Sequence, residues 1–471
     1  MINLQEGVHW LRSLNVINGQ RIICLIDGEH YPPVTEWAVH AIEQNGGKVE
    51  AMIFMGGSEK IKDKIEHAFA GVNCPVYNCK NYETSSGLLE KAIQEQSPDI
   101  AIDLSDTPVM DYRKRFEAAS VLLSKGISYL GADFIFRPPA DYDVLNKPAI
   151  SIIGTGKRVG KTAVSIKVSK TLKRHGINPA VIAMGRGGPS EPEVILNHSV
   201  NITPEYLLEL ADQGKHAASD YLENAALAGI PSIGCRRCGG GFAGNTFISN
   251  VIEGVQAANE LPVDIVIMEG SGSSLPPVRT GGKIIVIGAG SPLRNISDYL
   301  DSYKLRIADL AVITMCEQPV SEISKLKTLQ EKIEEVNPGI KTAFTIFKPE
   351  PGGDIKGKKI FLATTAPISA IEKIINHLEQ TYRCNVTGYS TSLSNRQILE
   401  EDLKNGLSSA ELLLTEIKAA SIDLAVRMAK KLEMEIVFLN NDVSLIGGSV
   451  SDLDSAILDV CSKSYKLLET L

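Results

Sequence analysis

No apolar stretch in the sequence approaches the roughly 20 residues that a membrane-spanning helix requires, so no membrane association is expected. The segment Met1 to Arg12 lacks a basic stretch followed by an apolar one and so shows no secretory leader. Basic residues are also in the minority. Lysine and arginine number 48 against 56 aspartates and glutamates, for a formal charge of -8 and a pI near 5.6. Nucleic acid is therefore not expected as a partner, because sequence-independent phosphate binding needs a basic face. Cysteine is sparse and scattered, at Cys24, Cys74, Cys79, Cys235, Cys238, Cys316, Cys384 and Cys461. Such a spread suits reduced thiols better than a disulfide framework. The one C-x-x-C, Cys235 to Cys238, has no second pair and no His-x-x-x-His to complete a zinc site, so small buried thiols are the favoured reading. These absences leave a cytoplasmic globular protein.

At 471 residues the chain exceeds one ordinary domain, and the length prior gives roughly three. Residues 1–145 are expected as an N-terminal α/β domain, in which residues 20–145 alternate β-rich and helical runs, the pattern of a parallel sheet covered by helices. Strands are expected at Arg21–Ile26, Val49–Phe54, Asp99–Leu104 and Ile127–Leu130, with helices at Val34–Gln44 and Arg113–Ser124. Ligands of such sheets sit outside the carboxyl ends of strands. Three loops place polar groups there: Asp27–Pro33, Gly56-Gly57-Ser58 and Asp103–Asp106. Turn and cap chemistry accounts for the last two. Asp27, Glu29 and His30 at one strand end exceed what a cap needs and are candidates for a substrate site.

Residues 146–345 form the expected core domain and 346–471 a further α/β domain, with a strand at Lys359–Ala363, helices at Ile368–Tyr382 and Glu411–Lys431, and a strand at Glu435–Leu439 closed by Asn440-Asn441-Asp442. Glu416 and Lys418 then read as solvated helix positions. The core opens on the apolar run Ala149–Ile153, followed by Gly154-Thr155-Gly156-Lys157-Arg158-Val159-Gly160-Lys161-Thr162 and a helical pattern in which Val164, Val168 and Leu172 share a face. A strand, a glycine-rich turn and a helix N-terminus aim backbone N–H groups and the positive helix end at one point, where polyphosphate is stabilised. Gly154, Gly156, Lys157, Arg158, Gly160, Lys161, Thr162 and Ala163 are the expected nucleotide contacts. Lys161 reaches for the β- and γ-phosphates and Thr162 offers its hydroxyl to Mg²⁺.

Two carboxylates are candidates for the same metal. Glu269 ends the near-continuous apolar run Val263–Met268, where a Mg²⁺-orienting acid is wanted beside such a loop. Asp220 follows Ser219 at a helix start, where an N-cap aspartate would present the same pattern. Cations for an anionic substrate are Arg186, in Gly185–Pro189, and the Arg236-Arg237 pair, in the glycine-rich run Gly234–Asn245, which reads as an anion-binding loop. The expected fold class is α/β, a P-loop NTPase core with a mainly parallel sheet flanked by N- and C-terminal α/β domains.

The loop departs from G-x-x-x-x-G-K-[ST], since Thr155 stands where the first glycine belongs. This longer spacing, the Ser219-Asp220 pair and Glu269-Gly270-Ser271-Gly272 resemble dethiobiotin synthetase. Partition and arsenite-pump ATPases have an extra lysine where Gly156 stands. Over all three regions the chain resembles the cyclic 2,3-diphosphoglycerate synthetase family, through Ile26–Pro33, Gly154–Thr162, Gly234–Gly241, Glu269–Gly272 and Leu413–Ala420. The resemblance implies an ATP-dependent, Mg²⁺-using ligase that closes 2,3-bisphosphoglycerate into a ring through an internal phosphoanhydride, releasing ADP and phosphate. It implies Lys161, Arg186, Arg236 and Arg237 in catalysis, and Asp27, Glu29, His30, Gly239, Gly240 and Ser271 near the substrate. Relatives of the P-loop group commonly pair across the nucleotide domain, so a homodimer is expected. Another ATP-dependent kinase or ligase acting on a small anionic acid, or a regulatory NTPase with a protein partner, stays open.

Overall fold

A computed structural model describes residues 16–57, 59–61, 65–78, 85–196, 202–216, 219–318, 320–417 and 422–470. Met1–Arg12, Ser58, Cys79 and Lys418–Ala420, singled out in the sequence, lie outside them. Two compact units result, one running to Pro139 and including Ser297–Ile307, the other comprising Ala140–Ile296 and Ala308 onward.

The first unit is built on β1 (Arg21–Ile26), β2 (Lys48–Phe54), β3 (Val76–Asn78), β4 (Ile100–Asp103), β5 (Ser128–Leu130) and β6 (Ile135–Phe136) in the order β3-β2-β1-β4-β5-β6. All neighbours are parallel except β5 and β6. This is a doubly wound arrangement whose strand order reverses between β1 and β4. The segment Ser297–Ile307 belongs to this unit, with Arg306 Nη1 donating to Glu90 Oε1 at 3.0 Å.

In the second unit the strands are β7 (Ala149–Gly154), β8 (Pro179–Gly185), β9 (Glu193–Ile195), β10 (Ser232–Gly240), β11 (Thr246–Ser249), β12 (Ile265–Glu269), β13 (Gly282–Gly288), β14 (Leu310–Thr314), β15 (Lys341–Pro351), β16 (Lys359–Ala363), β17 (Asn385–Ser390), β18 (Leu412–Thr415) and β19 (Glu435–Gly448). They form one 13-stranded sheet in the order β11-β10-β8-β12-β7-β13-β14-β15-β19-β18-β16-β17, with β9 beside β10. The core strands are parallel and buried on both faces, which explains the continuous apolar runs of β7, β12 and β14. The regions read as core and C-terminal domains are joined in this sheet by an antiparallel seam, Ala343↔Gly448 through Pro351↔Leu439.

Three expectations are corrected. The long helix at Glu411–Lys431 is instead strand β18, fully buried, followed by a helix at Ile422–Lys431. Three consecutive leucines satisfy either period, and tertiary burial on both faces selects the strand. Glu416 is accordingly buried, not solvated: it accepts from the Thr364 and Thr365 hydroxyls at 3.0 and 2.7 Å and from Asn441 Nδ2 at 3.0 Å. Asn440-Asn441-Asp442 do not close a strand, because pairing with β15 carries β19 on to Gly448. Among the described residues no helix is long and apolar enough to cross a membrane.

Candidate active site

The chain leaves β7 at Gly154 and enters the helix Lys161–Arg174 at Gly160, whose φ of 90° and ψ of 23° are left-handed. Arg158 is also left-handed, with φ of 59°. These reversals turn the loop back over the helix N-terminus, the backbone form that makes anion-binding nests. A Cβ on Gly160 would lie 2.5 Å from Phe347 Cζ, so glycine is required there on two counts. A Cβ on Gly154 would lie 2.9 Å from Lys161 Cδ; its absence lets the lysine fold back along the loop. Lys161 Nζ donates to the Gly156 carbonyl at 2.8 Å. Lys157 and Arg158 are exposed at the tip, while Thr162 and Ala163 are buried at the helix start.

The two acids meet beside that helix. Thr162 Oγ1 lies 2.8 Å from Glu269 Oε1 and 3.2 Å from Asp220 Oδ1. Asp220 is the first residue of the helix Asp220–Ala228, and Ser219 before it is the N-cap. Glu269 is 1% exposed, and burial with the neighbouring Asp220 carboxylate pushes its pKa up to about 8. Asn224, one helical turn after Asp220, ties the set together. Its Nδ2 donates to Glu269 Oε2 and to the Asp220 carbonyl, both at 2.9 Å, and its Oδ1 accepts from Ser165 at 3.0 Å. Sequence reading missed Asn224 and Ser165. The available signal was spacing, since each follows a candidate ligand by three or four residues on a helix.

The arginine pair separates. Arg236 and Arg237 lie on β10 and not in a loop, because that strand pairs with β8 through Arg236↔Gly185 and then with β11 through Arg237↔Ser249. Consecutive strand residues face opposite ways. Arg236 Nε donates to the carbonyls of Gly188 and Pro189 at 3.1 and 2.7 Å, so it grips the loop that carries Arg186. Arg237 turns to the other side, where Nη2 donates to the Ser271 carbonyl at 2.8 Å and Nη1 to the Gly239 carbonyl at 3.2 Å. Its Nε is buried without a hydrogen-bond partner. Arg186 joins it: a Cβ on Gly272, at φ of 64°, would lie 2.9 Å from Arg186 Nη2 and 3.6 Å from Arg237 Nη2. Burial and this like-charged neighbour lower the pKa of Arg237. Two guanidinium groups therefore converge beside Gly272 with no ion pair to either among the described residues. Gly240 packs flush on the same loop, where a Cβ would meet Ser274 Oγ at 2.8 Å. A small, open cleft of about 80 Å³ lies between Arg186, Gly187, His216 and Asp220.

Cys235 is buried, with its thiol pushed up to about 12, whereas Cys238 is exposed and corrects the reading of both as buried. Asp27 and His30 sit in the first unit at the end of β1. The buried Asp27 carboxylate accepts from the backbone N–H groups of Glu29 and His30 at 3.0 and 3.1 Å and pairs with His30 Nδ1 at 2.8 Å. Glu29 is half-buried, and a hydrogen bond with Glu59 raises its pKa.

Family models describing the N-terminal, P-loop and C-terminal domains of cyclic 2,3-diphosphoglycerate synthetase match residues 21–137, 149–346 and 351–442. Proteins of that name are similar over nearly their full lengths. The one from Methanothermus fervidus is 44% identical over 444 residues, covering 94% of this chain and 96% of the relative. The one from Methanothermobacter thermautotrophicus is 41% identical over 448 residues, 94% and 97% of the two chains. The one from Rubrobacter xylanophilus is 40% identical over 439 residues, 93% and 96%.

Proposed function

The chain belongs to the cyclic 2,3-diphosphoglycerate synthetase family, and we propose that it closes 2,3-bisphosphoglycerate into its cyclic form with ATP, releasing ADP and phosphate. The observation that carries this reading is the meeting of two guanidinium groups, Arg186 and Arg237, with no ion pair to either among the described residues, in the unit that holds the phosphate loop and the Thr162–Asp220–Glu269 acid set. ATP lies with its β- and γ-phosphates on the loop N–H groups and Lys161. A substrate with two phosphates and a carboxylate is held by Arg186 and Arg237, with the Gly239–Gly240 and Ser271 backbone close beside it. Arg236 acts through the loop it grips.

In the first step an oxygen of one substrate phosphate attacks the γ-phosphorus. The new P–O bond forms as the bond to ADP breaks, leaving a mixed anhydride. In the second, an oxygen of the other substrate phosphate attacks the phosphorus so activated, the ring P–O–P bond forms, and inorganic phosphate departs. Phosphate oxygens are already ionised near neutral pH, so no strong base is required. The work is positioning and charge neutralisation.

Mg²⁺ fits the donors present. Among the described residues no cluster of three His, Cys, Asp or Glu side chains is arranged as a metal site, but a hydroxyl and two carboxylates are the hard oxygen donors this ion takes alongside substrate phosphates. Thr162, Asp220 and Glu269 would hold it, and when bound it would neutralise charge on the β- and γ-phosphates. We also read the working protein as cytoplasmic and as a homodimer; light scattering of the purified chain checks the dimer. The deciding experiment is incubation with Mg-ATP and 2,3-bisphosphoglycerate, followed by phosphorus NMR. A cyclic phosphoanhydride signal matching ADP formed is expected; ADP without the ring would mean a kinase.

A further inference from the structure

Phe347 and Glu350 fall between the stretches matched by the P-loop and C-terminal family models, 149–346 and 351–442. Both stand on β15, where the core sheet meets its second half and Phe347 pairs with Val443 of β19. From this strand they reach the helix that begins at the phosphate loop. The half-buried Phe347 ring lies against Gly160, with Cζ 2.5 Å and Cε1 3.4 Å from where a Cβ would be. Further along, Glu350 Oε2 accepts from Lys170 Nζ at 2.8 Å and from Asn440 Nδ2 at 2.7 Å. At the far end Asp454 accepts from Thr171 Oγ1 at 2.9 Å and Arg174 Nη2 at 2.7 Å. Residues C-terminal to the matched P-loop region thus hold this helix from its first turn to its last.

The contact at Gly160 has a consequence the others lack. Glycine samples positive and negative φ almost equally, so nothing in the residue itself keeps this position at φ of 90°. Two neighbours restrict it from outside: the Thr314 hydroxyl, which donates to the preceding Val159 carbonyl at 2.7 Å, and the aromatic ring that stands where a Cβ would be. We infer that Phe347 is a positioning residue for the phosphate loop: by confining Gly160 it holds the loop N–H groups in the anion-binding arrangement before nucleotide arrives, so that the C-terminal half of the sheet sets nucleotide affinity. A loop that is competent only part of the time binds more weakly by the competent fraction. The chemical step, taken once the loop is occupied, is not altered. This inference rests on the reading that the loop takes ATP.

The test uses the full chain with Phe347→Ala and Phe347→Leu, the latter keeping most of the apolar bulk. Isothermal titration with Mg-ATP and with inorganic tripolyphosphate is set beside steady-state kinetics. For Phe347→Ala we expect both ligands to bind about 10-fold more weakly, as for a loop competent about a tenth of the time. KM for ATP should rise in step, while kcat at saturating ATP and KM for bisphosphoglycerate hold. Phe347→Leu should recover most of the loss. Unchanged affinity for both ligands in folded Phe347→Ala overturns the inference, and so does a parallel fall in kcat and thermal stability that leucine does not rescue. Should Phe347→Ala fail to fold, Phe347→Leu against wild type decides: affinity reduced with kcat held supports the inference, and identical affinity overturns it. A wild-type chain that binds tripolyphosphate but not ATP sinks the ATP reading, and the tripolyphosphate comparison still decides the role of Phe347.

Discussion

Replacing Glu269 with glutamine should stabilise the nucleotide-free protein while removing its turnover, and the gain should grow with pH. The carboxyl group is held near 8 by burial and by Asp220, against 4.5 in the unfolded chain. Below pH 4.5 both states carry the proton, and Glu269 adds no pH dependence. Between 4.5 and about 8 the unfolded chain releases it and the folded one keeps it, so stability falls as pH rises; above about 8 the slope vanishes. At about 1.4 kcal/mol per pH unit the charge costs on the order of 1 kcal/mol at pH 5 and 4 kcal/mol at pH 8. Glutamine has no such titration. It still accepts from Thr162, but its amide faces the Asn224 amide that now donates to Glu269 Oε2. Losing that bond costs about 1 kcal/mol at every pH. Glu269→Gln should therefore roughly match wild type at pH 5 and exceed it by about 3 kcal/mol at pH 8. Urea unfolding of the metal-free protein at both pH values reads the difference directly. A gap that stays constant between them would refute the assignment of Glu269 as a carboxyl kept protonated by burial and Asp220.

Lys161→Ala should leave a folded protein whose turnover falls by about 10³-fold or more, since the lysine is the cation we propose for the γ-phosphate; near-normal product formation by NMR would remove the core of the scheme. Arg237→Ala should raise KM for bisphosphoglycerate about 10-fold or more with KM for ATP held, whereas Arg236→Ala should act more weakly, through the Gly188–Pro189 loop. Equal effects of the two in steady-state kinetics would mean that β10 does not separate them. Gly188→Ala places a Cβ 2.0 Å from the Cys235 carbonyl oxygen, so the Arg186 loop must lift from β10; a loss of about 1–3 kcal/mol in urea unfolding is expected.

What the sequence alone determined was chemistry carried by local patterns. The strand–loop–helix from Ala149 to Arg174 is such a pattern, because glycines, lysine and threonine at fixed spacing follow a β run and open an amphipathic helix. Glu269 was legible for the same reason, as the charged end of an apolar strand. Asp220 was legible only as an acid at a helix start; that Ser219 is the N-cap and that the Asp220 carboxylate lies 3.2 Å from the Thr162 hydroxyl came from the fold. Tertiary structure decided whatever depended on pairing between distant segments. Adjacent arginines look like one site, but strand alternation sends Arg236 to the Arg186 loop and Arg237 to Gly272. Leu412–Leu414 satisfied either period until burial on both faces made them a strand, and Glu416 went inside with them. Asn224, Ser165 and Phe347 carry no motif. They matter through contacts with Glu269, Asn224 and Gly160, and in the last case the partners lie 187 positions apart in the chain, a distance across which no local pattern reports.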